Sequence, residues 1–480
     1  MPKAPVKTKE LSPKERAAGF SEVVIGYSQG EALSEASRCL QCKDPGCISG
    51  CPVGINIKQF IRQVTQKDFS GAYFTIRDKN NFPCICGRVC PAEYQCMKSC
   101  VLTKKGSPFA SPEAINIHFL ERFVGDFGMN NGLKMKITPD KKVAGLRVAV
   151  VGSGPAGLCC AGELARLGVK VTVFEALHSS GGVLRYGIPP FRMPREILDF
   201  EIDYLKGLGV DIVPNFIAGK TNDLADFFKE GFSAVFLGLG AGVPSFLGIP
   251  GENLCNVYSA NEFLTRVNLM SAYQFPRAHT PVNIGKHVLV IGGGNTAMDA
   301  ARCALRLQRM NNIPPDTTIA YRRTEVEMPA RRLEIGHAGE EGVKFKMLVK
   351  PEEFIGDEAG FVKKLRLLEC KLGEPDSSGR RRPVEIEGSG FSLDCDLAII
   401  AIGLQANKVL TSVTPRIKTD KYGDVTVDPG TMETSVRGVF AGGDIVGGEG
   451  TVIEAMGMAK RAALAIRDHL YKMSGSDKTK

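Results

Sequence analysis

Val148-Ala149-Val150-Val151-Gly152-Ser153-Gly154-Pro155-Ala156-Gly157 is an apolar strand running into a glycine turn and then into a helix over 158–167. A G-x-G-x-x-G run on its own is a weak signal. Here it has the strand before it, the helix after it, and a second apolar strand, 170–174, ending at Glu175. Gly152 permits the tight turn, Gly154 lets backbone approach a pyrophosphate, and Gly157 lets helix meet strand. The helix N-terminus offers unpaired N–H groups to an anion. Glu175 can accept a hydrogen bond from an adenosine ribose, and its charge repels a 2′-phosphate. The site is therefore expected to take FAD or NAD rather than NADP.

A second copy begins at Val288-Leu-Val-Ile-Gly292-Gly-Gly294-Asn295-Thr296-Ala297, with alanine as the third small residue. The following strand, 318–321, leads into Arg322 and Arg323 where an acidic ribose ligand usually sits. A guanidinium binds phosphate bidentately, so this site is expected to prefer NADP(H). Near the C-terminus, Gly438-Val-Phe-Ala-Gly442-Gly443-Asp444 resembles the flavin-closing segment of two-dinucleotide flavoproteins. Thr451 and Val452 then open a helix whose N-terminus is expected to face the flavin and favour negative charge there. Together these make the first site an FAD site. The fold class is α/β, with parallel sheets built from two Rossmann-like units.

Upstream the texture changes. Residues 1–135 read as helical, with amphipathic stretches at 30–40 and 57–66, and nine of the fifteen cysteines lie between Cys39 and Cys100. Clustering of this kind in a cytosolic chain points to metal ligation rather than disulfides. Cys39, Cys42, Cys47 and Cys51 form one group; Cys90, Cys96 and Cys100 form another. Cys51 and Cys90 each precede a proline, as does the cysteine that reaches across to the neighbouring cluster in two-cluster ferredoxin runs. Two [4Fe–4S] clusters with exchanged ligands are expected. Zinc prefers paired CxxC knuckles, and only Cys39/Cys42 has that spacing. Cys84 and Cys86 make nine candidates for eight positions, and spacing does not choose among them. The six cysteines from Cys159 onward read as core residues.

A length of 480 residues sets a prior of about three domains. The expected segments are 1–135 (iron–sulfur), 136–280 (FAD, first part), 281–399 (NADP(H)) and 400–480 (FAD, second part). The stretch 373–382 reads as a surface hairpin or loop and 474–480 as a frayed tail. No long apolar run and no apolar leader are present, so the expectation is a cytoplasmic protein without a membrane span. The net charge of +9 suits acidic partners, and no basic run interleaved with aromatics suggests nucleic acid.

Arg38-Cys-Leu-Gln-Cys42, Gly50-Cys-Pro52, Gly87-Arg-Val-Cys-Pro91, Leu120-Glu-Arg-Phe123, Gly181-Gly-Val-Leu-Arg-Tyr-Gly-Ile-Pro189, Tyr321-Arg-Arg323 and Glu327-Met-Pro-Ala330 resemble the glutamate synthase small-subunit family. That family includes the large subunit of NADH-dependent reduced ferredoxin:NADP+ oxidoreductase (sulfide dehydrogenase) and the N-terminal half of dihydropyrimidine dehydrogenase. Phe20-Ser-Glu-Val-Val-Ile-Gly-Tyr27 looks most like the ferredoxin-linked large subunits. The resemblance implies an NADP(H) domain inserted into the FAD domain, with Gly182 and Arg185 also at the FAD. It implies one cluster on Cys39, Cys42, Cys47 and Cys100, and another on Cys51, Cys90, Cys96 and Glu121, where Cys86 could displace Glu121. The implied activity is flavin-based, bifurcating electron transfer among NADP(H), ferredoxin and NAD. A smaller flavin/[2Fe–2S] partner subunit, or a larger redox complex, would complete it. The alternative is the small subunit of an NADPH-dependent glutamate synthase serving a glutamine-dependent large subunit. A wiring subunit with vestigial nucleotide sites is opposed by the intact glycine fingerprints.

Overall fold

The computed structural model describes residues 4–476 except 104–105, 107–109, 111–112, 377–378 and 449. Arg147–Val151 is the middle strand of a five-stranded parallel sheet. The order across it is Val439–Ala441, Ala234–Leu237, Arg147–Val151, Lys170–Phe174, Asp211–Val213. Val148 to Val151 are all buried, as a strand covered by helices on both faces requires. A second parallel sheet repeats the plan, in the order Lys344–Met347, Thr317–Tyr321, Val288–Ile291, Leu397–Ile400, Val257–Ser259. Because Val439–Ala441 returns to the first sheet, the second unit is an insertion into the first.

The chain crosses between units at an antiparallel pair, Ala241–Pro244 with Leu404–Ala406. This corrects the expected boundary at 281. Val257–Ser259 already pairs with Leu397–Ile400, so it belongs to the inserted unit. The strand has only three residues and no glycine turn after it, so nothing local marks it as part of the inserted unit. Val362–Pro375 and Arg381–Glu385 form the surface hairpin expected around 373–382, within a four-stranded antiparallel flap; 377–378 lie outside the described residues.

Ahead of the sheets lie helices Gln29–Ala36, Ile57–Thr65, Phe69–Arg77, Pro83–Val89 and Ile117–Asn130. Ser28 and Glu31 form a capping box on the first. In the second, Ile57, Phe60, Ile61 and Val64 make the buried stripe. Pro83–Val89 and Ile117–Asn130 pack at glycines. A Cβ on Gly87 would lie 2.5 Å from Arg122 Cα, and one on Gly125 would lie 2.9 Å from Cys84 N. This close crossing sets Cys86 and Cys90 beside Glu121. The apolar core of the helical part is continuous with that of the first sheet.

A buried ion network braces the inserted unit. Glu341 accepts from Arg302 Nη2 at 2.7 Å and from Arg306 Nη1 at 2.7 Å, while Phe191 lies 3.8 Å beneath the Arg306 guanidinium. Burial works to raise the Glu341 carboxyl, yet the two guanidiniums win and hold it at about 2. Its folded value lies below the ordinary one. Its stabilisation is therefore present above the unfolded carboxylate range and lost as pH falls from about 4.5 through about 2. Glu341→Gln leaves buried Arg306 without its carboxylate and Arg302 with Glu334 alone, and is expected to cost about 3 kcal/mol at neutral pH. Thermal unfolding of variant and wild type should show that gap at pH 7 and its narrowing toward pH 3.

Candidate functional site

The first glycine turn is built as its chemistry requires. Gly152 has φ +99°, and a Cβ there would lie 2.4 Å from Gly238 O. A Cβ on Gly157 would lie 1.9 Å from Gly152 O. Gly154 caps helix Pro155–Ala165 and has open space where a side chain would stand. Pro155 occupies the first helical position, where no N–H partner is needed, and Ala156 is buried beside it. Glu175 is clamped over this turn: its Oε2 accepts from Ser153 N at 2.9 Å and from Ser153 Oγ, and its Oε1 accepts from Leu177 N at 2.8 Å.

Two later segments close on the same turn. Gly181 N donates to Ser153 Oγ at 3.0 Å, and a Cβ on Gly182 (φ +54°) would lie 2.7 Å from Gly154 Cα. Arg185 is braced by Ser180 O at 2.7 Å and by Asp199. From the far end of the chain, Gly443 (φ +79°) comes so near Ala156 that a Cβ would stand 3.0 Å from its Cβ. Burial pushes the Asp444 carboxyl up. Tyr186 is pushed up to about 12 by burial and then by the charges of Asp444 and Glu175. Thr451 Oγ1 accepts from Glu454 N at 3.3 Å, capping the long helix that opens at Val452. Sequence reasoning missed Ser153 and Tyr186. Ser153 occupies a variable fingerprint position, and nothing local marks Tyr186.

At the second turn Gly292 has φ +143°, and a Cβ would lie 2.2 Å from Ala401 O. Gly294 caps helix Asn295–Met310 with open space before it. Asn295 Oδ1 accepts from Arg331 N at 2.9 Å; Thr296 is exposed and Ala297 buried. The two arginines part company, which corrects the expectation that both face a 2′-phosphate. Arg322 is exposed. Arg323 is 4% exposed, donating from Nε to Arg381 O at 2.7 Å and from Nη2 to Asp376 Oδ2 at 2.7 Å. Arg323 thus holds the flap hairpin, and of the two only Arg322 is exposed. Arg322→Ala should weaken NADPH binding at least about 10-fold, the scale of one charge-assisted contact, and leave NADH unchanged. Fluorescence titration with both nucleotides checks this.

The cysteines sort into two sets. Cys39, Cys42, Cys47 and Cys100 line one cavity, together with Ile57, Ile61, Ile115 and Ile117. Burial raises the Cys47 thiol to about 12, followed by the charges of Cys100, Cys39 and Cys42. Gln41, held at φ +50°, donates from Nε2 to Cys39 Sγ at 3.4 Å. In the second set, burial raises the Cys96 thiol well above its usual value, and the charges of Cys51, Cys90 and Glu121 add to it. Glu121 is 5% exposed, with Asn80 Nδ2 donating to it at 2.5 Å; burial pushes its carboxyl to about 8.

Cys86 stays beside this second set, its Sγ 3.6 Å from Asn80 Oδ1 and 3.7 Å from Met456 Sδ. Cys84 faces elsewhere, toward Glu201, Asp126, Arg77 and Arg88. Of the six scattered cysteines, Cys255 is exposed, correcting its reading as core; the other five are buried.

The donor sets fit iron–sulfur clusters. A single zinc ion needs four ligands converging at about 2.3 Å. Among the described residues no three His, Cys, Asp or Glu side chains do so. Four thiols lining one apolar cavity suit a cluster that takes one ligand per iron. A carboxyl buried among three more thiols offers the second cluster an oxygen ligand. The two systems meet at helix Val452–Ser476. A Cβ on Gly443 would lie 3.5 Å from its Ala455 Cβ, and a Cβ on Gly457 would lie 2.8 Å from the carbonyl of Pro52, the residue after Cys51.

Residues 16–133 match the dihydropyrimidine dehydrogenase domain II, 4Fe–4S cluster family, and residues 146–459 match the pyridine nucleotide-disulphide oxidoreductase family. The chain is 35% identical over 461 residues to the glutamate synthase [NADPH] small chain of Azospirillum brasilense, covering 95% of this chain and 92% of that one. The glutamate synthase [NADPH] small chain of Escherichia coli is 33% identical over 474 residues, covering 98% and 96%. The NADP(+)-dependent formate dehydrogenase subunit beta of Moorella thermoacetica is 36% identical over 475 residues, covering 93% of this chain and 64% of that one. Among solved structures, Mycobacterium tuberculosis FprA in complex with NADPH superposes with a TM-score of 0.58 at 20% identity, over 70% of this chain and 87% of that one. The last likeness shows the fold of the two dinucleotide-binding units. Among the described residues no helix is long and apolar enough to cross a membrane.

Proposed function

The chain belongs to the family of the glutamate synthase small chains, and from that premise we propose that it conducts electrons between NADP(H) and a redox partner through FAD and two cysteine-held clusters. It is an NADP(H)-dependent oxidoreductase in which an iron–sulfur domain precedes two interleaved dinucleotide folds. The observation that carries the proposal is the contact of helix Val452–Ser476 with both sides at once: Cys159 Sγ, in the helix after the first glycine turn, lies 3.6 Å from Met456 O, a Cβ on Gly443 would lie 3.5 Å from Ala455 Cβ, and one on Gly457 would lie 2.8 Å from Pro52 O. When bound, the flavin exchanges electron pairs with nicotinamide and single electrons with iron–sulfur clusters.

Gly152, Gly154, Pro155, Ala156, Gly157, Glu175, Gly182, Arg185, Gly443, Asp444, Thr451 and Val452 would hold FAD. Gly292, Gly294, Asn295, Thr296, Ala297 and Arg322 would hold NADP(H). The capped N-terminus at Thr451 favours negative charge at the flavin. Cys39, Cys42, Cys47 and Cys100 would hold the first cluster; Cys51, Cys90, Cys96 and Glu121 the second. Glu121→Cys replaces a hard oxygen ligand by a soft sulfur. Iron content should stay as in wild type while the spectrum and potential of one cluster change. An unchanged cluster would remove Glu121 from the ligand set.

For the electron acceptors, the reading we favour is bifurcation in the cytoplasm, with ferredoxin as one acceptor and NAD+ as the other by way of a small flavin/[2Fe–2S] subunit. The lead-in at residues 20–27 and the net charge of +9 support it. A second reading, delivery to a glutamine-dependent large subunit, draws on the near full-length match to two glutamate synthase small chains. Anaerobic co-purification from the native source separates them. A small flavin/[2Fe–2S] companion supports the first, and a large amidotransferase the second. Isolated protein without FAD or acid-labile sulfide would defeat both.

A further inference from the structure

Residues 328–332 lie between the second glycine turn and the loop that carries Cys90. On the nucleotide side, Ala330 N donates to Gly293 O at 3.3 Å and Arg331 N donates to Asn295 Oδ1 at 2.9 Å. On the cluster side, Arg331 Nη1 donates to Arg88 O at 2.9 Å, Tyr94 OH donates to Ala330 O at 3.1 Å, and Arg332 N donates to Glu93 Oε1 at 2.6 Å. One short segment is therefore pinned to both sites.

At its centre, Arg331 is 3% exposed. Its Nε has no partner among the described residues. The nearby carboxylate, Glu334 at 3.6 Å, is shared with Arg192 at 3.1 Å and with Arg302. The cation is thus only partly neutralised. It stands against the segment that carries Cys90, its Nη1 bonded to a carbonyl two residues before that cysteine.

We propose that Arg331 is a positioning residue that couples occupancy of the second dinucleotide site to the reduction potential of the cluster on Cys51, Cys90, Cys96 and Glu121. This rests on the ligand reading given above. A buried cation beside a ligand favours the reduced, more negative cluster and so raises its potential. The pyrophosphate expected at Gly292–Gly294 would bear on Asn295, and Asn295 holds the Arg331 backbone. Binding there shifts the cation relative to Cys90. Linkage makes the effect reciprocal: reduction of that cluster must change nucleotide affinity by the same factor that binding changes the reduction equilibrium.

The test is a potentiometric EPR titration of the anaerobic holoprotein with and without 2′-phospho-ADP-ribose, which occupies the site without donating hydride. Wild type should show a shift of the second cluster's midpoint on adding the ligand. Arg331→Met should start at a more negative midpoint and show no shift. Arg331→Lys should recover the ligand-free midpoint, because it restores the charge, with a smaller shift. The inference is overturned if wild type shows no shift, or if Arg331→Met, retaining both clusters, keeps the wild-type midpoint and shift. Wild-type protein holding only one cluster would instead bring down the ligand reading, and the inference with it.

Discussion

Gly157→Val is expected to give protein that retains its iron and its helical domain but has lost FAD. The reason is steric and local. A Cβ at 157 would stand 1.9 Å from Gly152 O and 3.3 Å from Val150 Cγ1. The first of these atoms is backbone and cannot rotate away, so helix Pro155–Ala165 must move off the strand by about 1 Å. That shift misdirects the N–H groups at its start and disturbs the contact of Ala156 with Gly443. Overpacking costs about 1–3 kcal/mol even where a core can give. At the upper end, flavin affinity falls about 100-fold, and NADPH-dependent reduction of every acceptor falls with it. Gly154→Ala is the contrast: among the described residues beyond its chain neighbours no atom lies within 4 Å of that Cβ, so the backbone should stay in place and only the approach of a pyrophosphate suffer. FAD and iron counted on the same samples decide the matter. A Gly157→Val protein with wild-type flavin content would mean that the cofactor sits elsewhere.

The glycine turns were legible because their chemistry is local: strand, turn and helix follow one another within a dozen residues. The insertion of one unit into the other is implied by the family resemblance, and the order of the motifs matches it. The edge strand Val257–Ser259 could not, because its identity comes from Leu397–Ile400, far along the chain. The partner of Arg323 was hidden for the same reason, since Asp376 reaches it only when the flap folds.

The nine-cysteine ambiguity illustrates the limit and also a way past it. Cys84 and Cys86 are two apart in helix Pro83–Val89, so their side chains point about 200° apart. Cys84 therefore looks toward Glu201 while Cys86 looks toward Glu121. The helical period alone could have shown that the two do not serve one site. Glu121 also carried a readable signal. In helix Ile117–Asn130 the buried positions include Ile117, Leu120, Glu121 and Val124. That is an acid on an apolar stripe, which costs too much to be buried without a proton or a cation as partner.

Cys96→Ala is expected to separate the flavin from the molecular surface. Its thiol is surrounded by Cys51, Cys90 and Glu121, and Cys47 of the other set is its next charged neighbour. The second set thus lies between helix Val452–Ser476 and the first set. The first set in turn lies beneath Leu40 and Val101, which are 54% and 58% exposed. Removing the Cys96 ligand should halve the iron while leaving FAD in place, because the contacts that hold the first glycine turn come from Glu175, Gly181, Gly182 and Gly443. NADPH should still bleach the flavin, and small dyes that reach it should still be reduced at wild-type rates. Reduction of a protein acceptor such as ferredoxin should fall at least about 100-fold, nearly 3 kcal/mol on the barrier scale. Cys42→Ala should give the same loss with a different signature: the first cluster gone, the second still present by EPR. Cys90 is the weaker choice for this experiment, because the free Cys86 thiol, one helical turn before it, could take its place. Undiminished reduction of the protein acceptor by Cys96→Ala, with half the iron missing, would show that electrons leave the flavin by another route.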